Sequence, residues 1–198
     1  MGLKFIGVYD YTVILTYISL LSGLMGIRFA MEGRPGAAIC CLMVSGFLDM
    51  FDGAVARTKK NRTADEKNFG IQLDSLCDLV CFGVLPAVYL YQSGVNTWYG
   101  MILLFFYVLC ALIRLAFFNV LEIKRQMSEG GCAKGYRGLP VTSASMIFPF
   151  FYLLRLLGLA ENGMLVIHYV LPIVIGLLFI LDFHIPKWDV GKLFQKKH

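Results

Sequence analysis

The 198-residue chain is 58% hydrophobic and only 16% charged, against about 45–50% and about 25% in average soluble proteins. With a mean hydropathy of +0.70, this excludes an ordinary water-soluble domain. The formal net charge of +5 belongs to a protein whose expected partner is a lipid bilayer and no nucleic acid.

Residues 1–10 hold one lysine and no small-residue cleavage site, and Ile6 stands where a myristoylation signal wants Ser or Thr. Neither a cleaved signal peptide nor a lipid anchor is expected. Six apolar stretches follow, at roughly 11–31, 37–57, 70–91, 98–121, 140–159 and 164–184, each near the length a helix needs to cross a bilayer. Helices are the economical solution, because each satisfies its own backbone hydrogen bonds in lipid. Residues 1–198 therefore read as a single all-α integral membrane domain of six transmembrane helices. Polar breaks fall at 32–36, 58–69, 92–97, 122–139 and 160–163.

The second and third stretches contain residues that apolar spans rarely tolerate. Asp49 and Asp52 lie in the second, Asp74 and Asp78 in the third. Each ionisable group inside a membrane costs on the order of 2.5–3.5 kcal/mol on insertion scales, so such groups usually mark function. Residues three or four apart share a helix face, so each helix aims two carboxylates to one side. Asp52 lies five residues before Arg57, and Asp74 four after Gly70. With a rise of about 1.5 Å per residue, Asp52 and Asp74 should sit level, with Asp49 and Asp78 paired one turn deeper. Four carboxylates in one volume cannot all stay ionised without counter-charge: either some are protonated, or cations sit among them. An all-oxygen site suits Mg²⁺, Mn²⁺ or Ca²⁺ rather than zinc, and paired metals are a recurrent arrangement for phosphoryl chemistry. Gly53, Ala56 and Gly70 beside them allow close approach of a substrate or a helix backbone, and Arg57 at the membrane edge suits bidentate phosphate binding.

The remaining residues set topology. Lys4, the 57–69 segment, the 122–139 loop and the tail carry fourteen Lys and Arg, while the other face holds only Arg28, Arg34 and Arg155. This positive-inside bias places both termini (N-in, C-in) and the aspartate end of the bundle on the cytoplasmic side. Cys40, Cys41, Cys77, Cys81, Cys110 and Cys132 include no CxxC pair and read as small packing residues. His168 and His184 read as satisfied or interfacial, and Trp98, Tyr99, Tyr169 and Trp188 suit an interfacial aromatic belt.

Asp49-Met50-Phe51-Asp52-Gly53-Ala54-Val55-Ala56-Arg57 and Gly70-Ile71-Gln72-Leu73-Asp74-Ser75-Leu76-Cys77-Asp78 resemble the signature of the CDP-alcohol phosphotransferase family, D-x2-D-G-x2-A-R followed by G-x3-D-x3-D. All eight fixed positions match; the spacer between the two halves is longer than usual, and its extra residues fall in the polar run 59–66. The resemblance implies two divalent cations, Mg²⁺ or Mn²⁺, shared by Asp49, Asp52, Asp74 and Asp78, with Asp78 also the base. It implies CDP contacts from Asp52, Gly53, Ala56, Arg57, Gly70 and Asp74, and a homodimer. Leu79 to Ala87, Arg114 to Asn119 and Gly138-Leu139-Pro140 are similar to runs in the serine-using branch of the family, although Phe117 replaces an expected arginine. CDP-diacylglycerol and L-serine are therefore the expected substrates. Glycerol phosphate, inositol or choline are the alternative acceptors, and a divalent-cation transporter the remote alternative function. Arg114, Asn119, Lys134 and Arg137 are the candidate acceptor contacts.

Overall fold

The computed structural model describes residues 7–56, 58–59, 61–127, 136–158, 163–182 and 184–185. Asp10 caps the first element: its carboxylate accepts from the Thr12 backbone N–H at 2.9 Å and from the Thr12 hydroxyl, opening a 3-10 turn over Tyr11–Val13. That turn leads into α1 (Ile14–Met31). Gly33, at φ +68°, turns the short link to α2 (Pro35–Ala56). The proline sits at the helix's first position, where its missing N–H costs nothing.

The third rod begins earlier than the hydropathy suggests. The spacing of apolar residues predicts a start near Gly70, whereas α3 (Ala64–Asp78) starts six residues sooner. Thr63 and Glu66 form a capping box, each side chain bonding the other's backbone N–H, at 3.2 and 3.0 Å. Those two bonds satisfy donors that a helix start leaves orphaned. The polar residues 64–69 are thus helix, and the connection from α2 shrinks accordingly. After Asp78 the rod widens into a π-helical segment, Leu79–Val84, and continues as α4 (Leu85–Gln92).

α5 (Trp98–Met127) has 30 residues, about 45 Å at 1.5 Å per residue, so its last turns extend well past a hydrocarbon core of about 30 Å. A 3-10 turn, Val141–Ser143, precedes α6 (Ala144–Leu156), and α7 (Met164–Ile180) follows. Strand β1 (Tyr136–Arg137) pairs antiparallel with β2 (His184–Ile185), tying the chain before α6 to the chain after α7.

Among the described residues there are six helical rods. Four are long and apolar enough to cross a membrane: Tyr11–Met31, Pro35–Ala56, Ala64–Gln92 and Trp98–Arg125. The other two, Val141–Leu156 and Met164–Ile180, are shorter than the spans expected from hydropathy and carry internal prolines, Pro149 and Pro172. Large apolar side chains face outward, with Phe105 66% and Met146 77% exposed. A surface this apolar belongs in lipid, and the chain is an integral membrane protein.

Polar and small residues hold the first two rods together. Ser19 and Ser45 each donate to the other's backbone carbonyl, at 3.4 and 3.2 Å, and Ser22 donates to Cys41 O at 3.0 Å. A Cβ on Gly23 would lie 2.6 Å from Cys81 Sγ, so the third rod presses directly on α1. Phe82, Leu90, Tyr107, Ala111, Phe148 and Phe179 fill the centre.

Candidate functional site

The rods α2 and α3 carry their carboxylates toward each other. Asp49 and Asp52 lie three apart on α2; Asp74 and Asp78 lie four apart on α3. Asp52 faces Asp74 near the ends of the rods, and Asp49 faces Asp78 deeper in the bundle. One carboxylate oxygen each from Asp49, Asp74 and Asp78 lies within 4.8 Å of the others. Asp52 stands beside this trio through its contact with Asp74. Asp78 is the deepest, only 7% exposed.

The donor set fits a divalent cation. Asp74 Oδ1 is buried and has no hydrogen-bond partner, and the ion pairs among the described residues leave all four aspartates unpaired. Clustered carboxylates in a low-dielectric setting repel one another and lose hydration, a deficit that cations would fill. Oxygen-only ligands point to a hard metal.

The structure distributes the other expected site residues unevenly. Gly53 and Ala56 lie on the last turns of α2, part-buried, Gly53 next to Asp52 and Ala56 one turn beyond it. Arg57 and Lys134 lie outside the described residues, and Arg137 is described by its backbone alone, in β1. Gly70 lies two turns inside α3 rather than at its start, covered by Arg62: a Cβ at Gly70 would meet Arg62 Nη2 at 2.7 Å. Hydropathy offered no reason to single out Arg62, because its position depends on the path of the loop.

Two acceptor candidates have local partners. Asn119, buried on α5, accepts from the Ser75 hydroxyl at 2.6 Å and donates to Gln72 Oε1 at 3.1 Å. Its amide bolts α5 to the flank of α3 next to the aspartates. Arg114 lies against Gly138, whose added Cβ would be 3.6 Å from Arg114 Nη1, and Asp182 is its charged neighbour. Arg114 forms no ion pair with any of the four clustered aspartates.

The described cysteines are free. Cys77 and Cys81, with sulfurs 3.8 Å apart, donate to the Thr16 and Ser19 carbonyls of α1 at 3.4 Å each. At the far end of the bundle, His168 Nδ1 lies 3.2 Å from Ser93 O. Tyr99 stacks near both Trp98 and Tyr169 there. His184 is described by its backbone alone, while Trp188 lies outside the described residues.

Comparison with known proteins bears on this arrangement. The family model described as CDP-alcohol phosphatidyltransferase matches residues 11–181. A CDP-diacylglycerol–serine O-phosphatidyltransferase of Methanocaldococcus jannaschii is 31% identical over 193 residues, covering 96% of this chain and 79% of that protein. An archaetidylserine synthase of Methanothermobacter thermautotrophicus is 35% identical over 141 residues, covering 71% and 56%. A CDP-diacylglycerol–serine O-phosphatidyltransferase of Mycobacterium tuberculosis is 38% identical over 109 residues, covering 54% and 37%. The match thus spans little more than a third of the mycobacterial relative's length. No solved structure matches.

Proposed function

Because the chain belongs to the CDP-alcohol phosphatidyltransferase family, we propose that it transfers the phosphatidyl group of CDP-diacylglycerol to the hydroxyl of L-serine, giving phosphatidylserine and CMP. The observation that carries this reading is the convergence of Asp49, Asp74 and Asp78 within 4.8 Å, with Asp52 against Asp74, at the positions of the family signature. Three relatives named above are called synthases or transferases of serine lipids, while their lipid names differ; the shared element is serine.

In this reading Asp49, Asp52, Asp74 and Asp78 hold two divalent cations, Mg²⁺ or Mn²⁺. Bound there, such cations would neutralise the diphosphate and favour departure of CMP. Asp78, buried at the deep end of the cluster, accepts the proton of the serine hydroxyl. The serine oxygen then bonds to the phosphorus that carries diacylglycerol, and the bond from that phosphorus to the CMP oxygen breaks. Gly53, Ala56, Arg57 and Gly70 line the nucleotide's approach, and Arg114, Lys134 and Arg137 are the candidate cations for the serine carboxylate. Burial of the carboxylates inside apolar rods suits a donor whose acyl chains stay in the bilayer. We place the site at the cytoplasmic face, with both termini on that side, in one domain that works as a homodimer.

The test is a panel of labelled alcohols offered to the purified protein with CDP-diacylglycerol and Mg²⁺ or Mn²⁺. Serine is the expected acceptor. Turnover of glycerol phosphate, inositol or choline without serine would overturn the acceptor while leaving the transfer chemistry in place.

A further inference from the structure

Arg62 belongs to the polar run that makes the spacer between the two halves of the signature unusually long. Its position is over-determined. Lys59 Nζ bridges Asp10 at 2.8 Å and Glu66 at 3.1 Å, joining the chain before α1 to the first turn of α3. Tyr11 and Thr58 share a hydroxyl contact at 3.2 Å. Thr63 and Glu66 close the capping box. Between these anchors Arg62 Nη2 donates to Glu66 O at 3.2 Å, which lays the guanidinium over Gly70.

Three features of this placement point to a ligand. A side chain at Gly70 would fill the space that Nη2 occupies, at 2.7 Å, so the glycine makes the cradle. Arg62 Nε is buried without a hydrogen-bond partner, and a buried charged donor left unpaired is costly. Gly70 and Asp74 lie four residues apart on one face of α3, so the guanidinium seated over Gly70 shares that face with a carboxylate of the cluster rooted about one helical turn along. A planar fork of donors beside a cation-binding carboxylate site matches the oxygens of a nucleoside diphosphate.

We infer that Arg62, supplied by the lengthened spacer, is a binding residue for the diphosphate of the CDP-linked substrate, seated against Gly70 and donating to phosphate oxygen. This rests on the function proposed above and adds a contact outside the family signature.

Steady-state kinetics of the purified full chain test it, varying CDP-diacylglycerol at saturating serine and fixed Mg²⁺, alongside binding of CDP with Mg²⁺ by titration calorimetry. R62Q should raise the KM for CDP-diacylglycerol tenfold or more and weaken CDP binding in step, with the KM for serine within twofold of wild type. R62K, which keeps the charge and loses the fork, should fall between. G70A supplies a second arm that retains the charge: its Cβ displaces the guanidinium, so it should raise that KM in the wild-type background and much less in R62Q. An unchanged or lowered KM for CDP-diacylglycerol in R62Q, or an equal cost of G70A in both backgrounds, overturns the inference. If R62Q does not fold by thermal melting, R62K and the CDP titration of G70A decide. Wild-type protein that does not turn over CDP-diacylglycerol sinks the proposed function; turnover insensitive to Arg62 sinks only this contact.

Discussion

Tyr107 donates its phenol to the carbonyl of Phe82 at 2.6 Å, with both residues wholly buried. Pro86, four residues after Phe82, has no N–H to offer that carbonyl, and the chain between Asp78 and Leu85 takes π-helical form. The phenol from α5 thus serves a polar group that the irregular segment cannot pair in the ordinary helical way. Asp78 is the last α-helical residue before the widening, so the phenol braces the segment that directly follows the α3 carboxylates.

Tyr107→Phe should cost about 1–3 kcal/mol, the penalty of an unpaired buried acceptor. Thermal unfolding in detergent measures it. An unchanged melting temperature would mean the Phe82 carbonyl has another donor.

The Asn119 amide, a candidate acceptor contact, is engaged by Ser75 and Gln72. Asn119→Ala should therefore lower stability by about 1–3 kcal/mol and reduce kcat, with the serine KM close to wild type. A selective rise in serine KM, at unchanged stability, would instead make Asn119 an acceptor contact.

The loop clasp carries its own pH signature. The Lys59 ammonium, followed by the Thr12 hydroxyl, holds the Asp10 carboxyl down at about 2, below the ordinary value near ~3.9. A depressed folded value stabilises the charged form. The contribution is complete above the ordinary value and is lost as pH falls from about 4 through about 2. The difference in melting temperature between wild type and Asp10→Asn should be constant from pH 8 to 5 and shrink below about 4. A difference that persists unchanged to pH 2 would contradict the clasp.

Much of this site was legible because charge inside an apolar run is conspicuous. Asp49, Asp52, Asp74 and Asp78 stood out by type, their three- and four-residue spacings named the shared faces, and the loop between the two rods set their relative depth. Helix α3 was misplaced at its start for a different reason. Residues 64–69 are polar, and hydropathy cannot see a polar extension of a spanning helix, although Thr63-Ala64-Asp65-Glu66 is itself a capping-box pattern. Hydropathy predicts full-length spans for the proline-interrupted α6 and α7, because apolar composition does not reveal where a rod stops. Contacts such as Ser75 with Asn119, Arg62 over Gly70 and Tyr107 with Phe82 depend on how rods rotate against one another, which no single segment encodes.

The most direct test is transfer of labelled serine into lipid by Asp78→Asn, a nearly isosteric change that removes the proposed proton acceptor. Loss of a positioned general base costs about 10²–10⁴-fold, so turnover should fall by at least that range while the protein folds and still binds CDP. Serine transfer by Asp78→Asn within a few-fold of wild type would contradict the assignment of this cluster as the reacting centre.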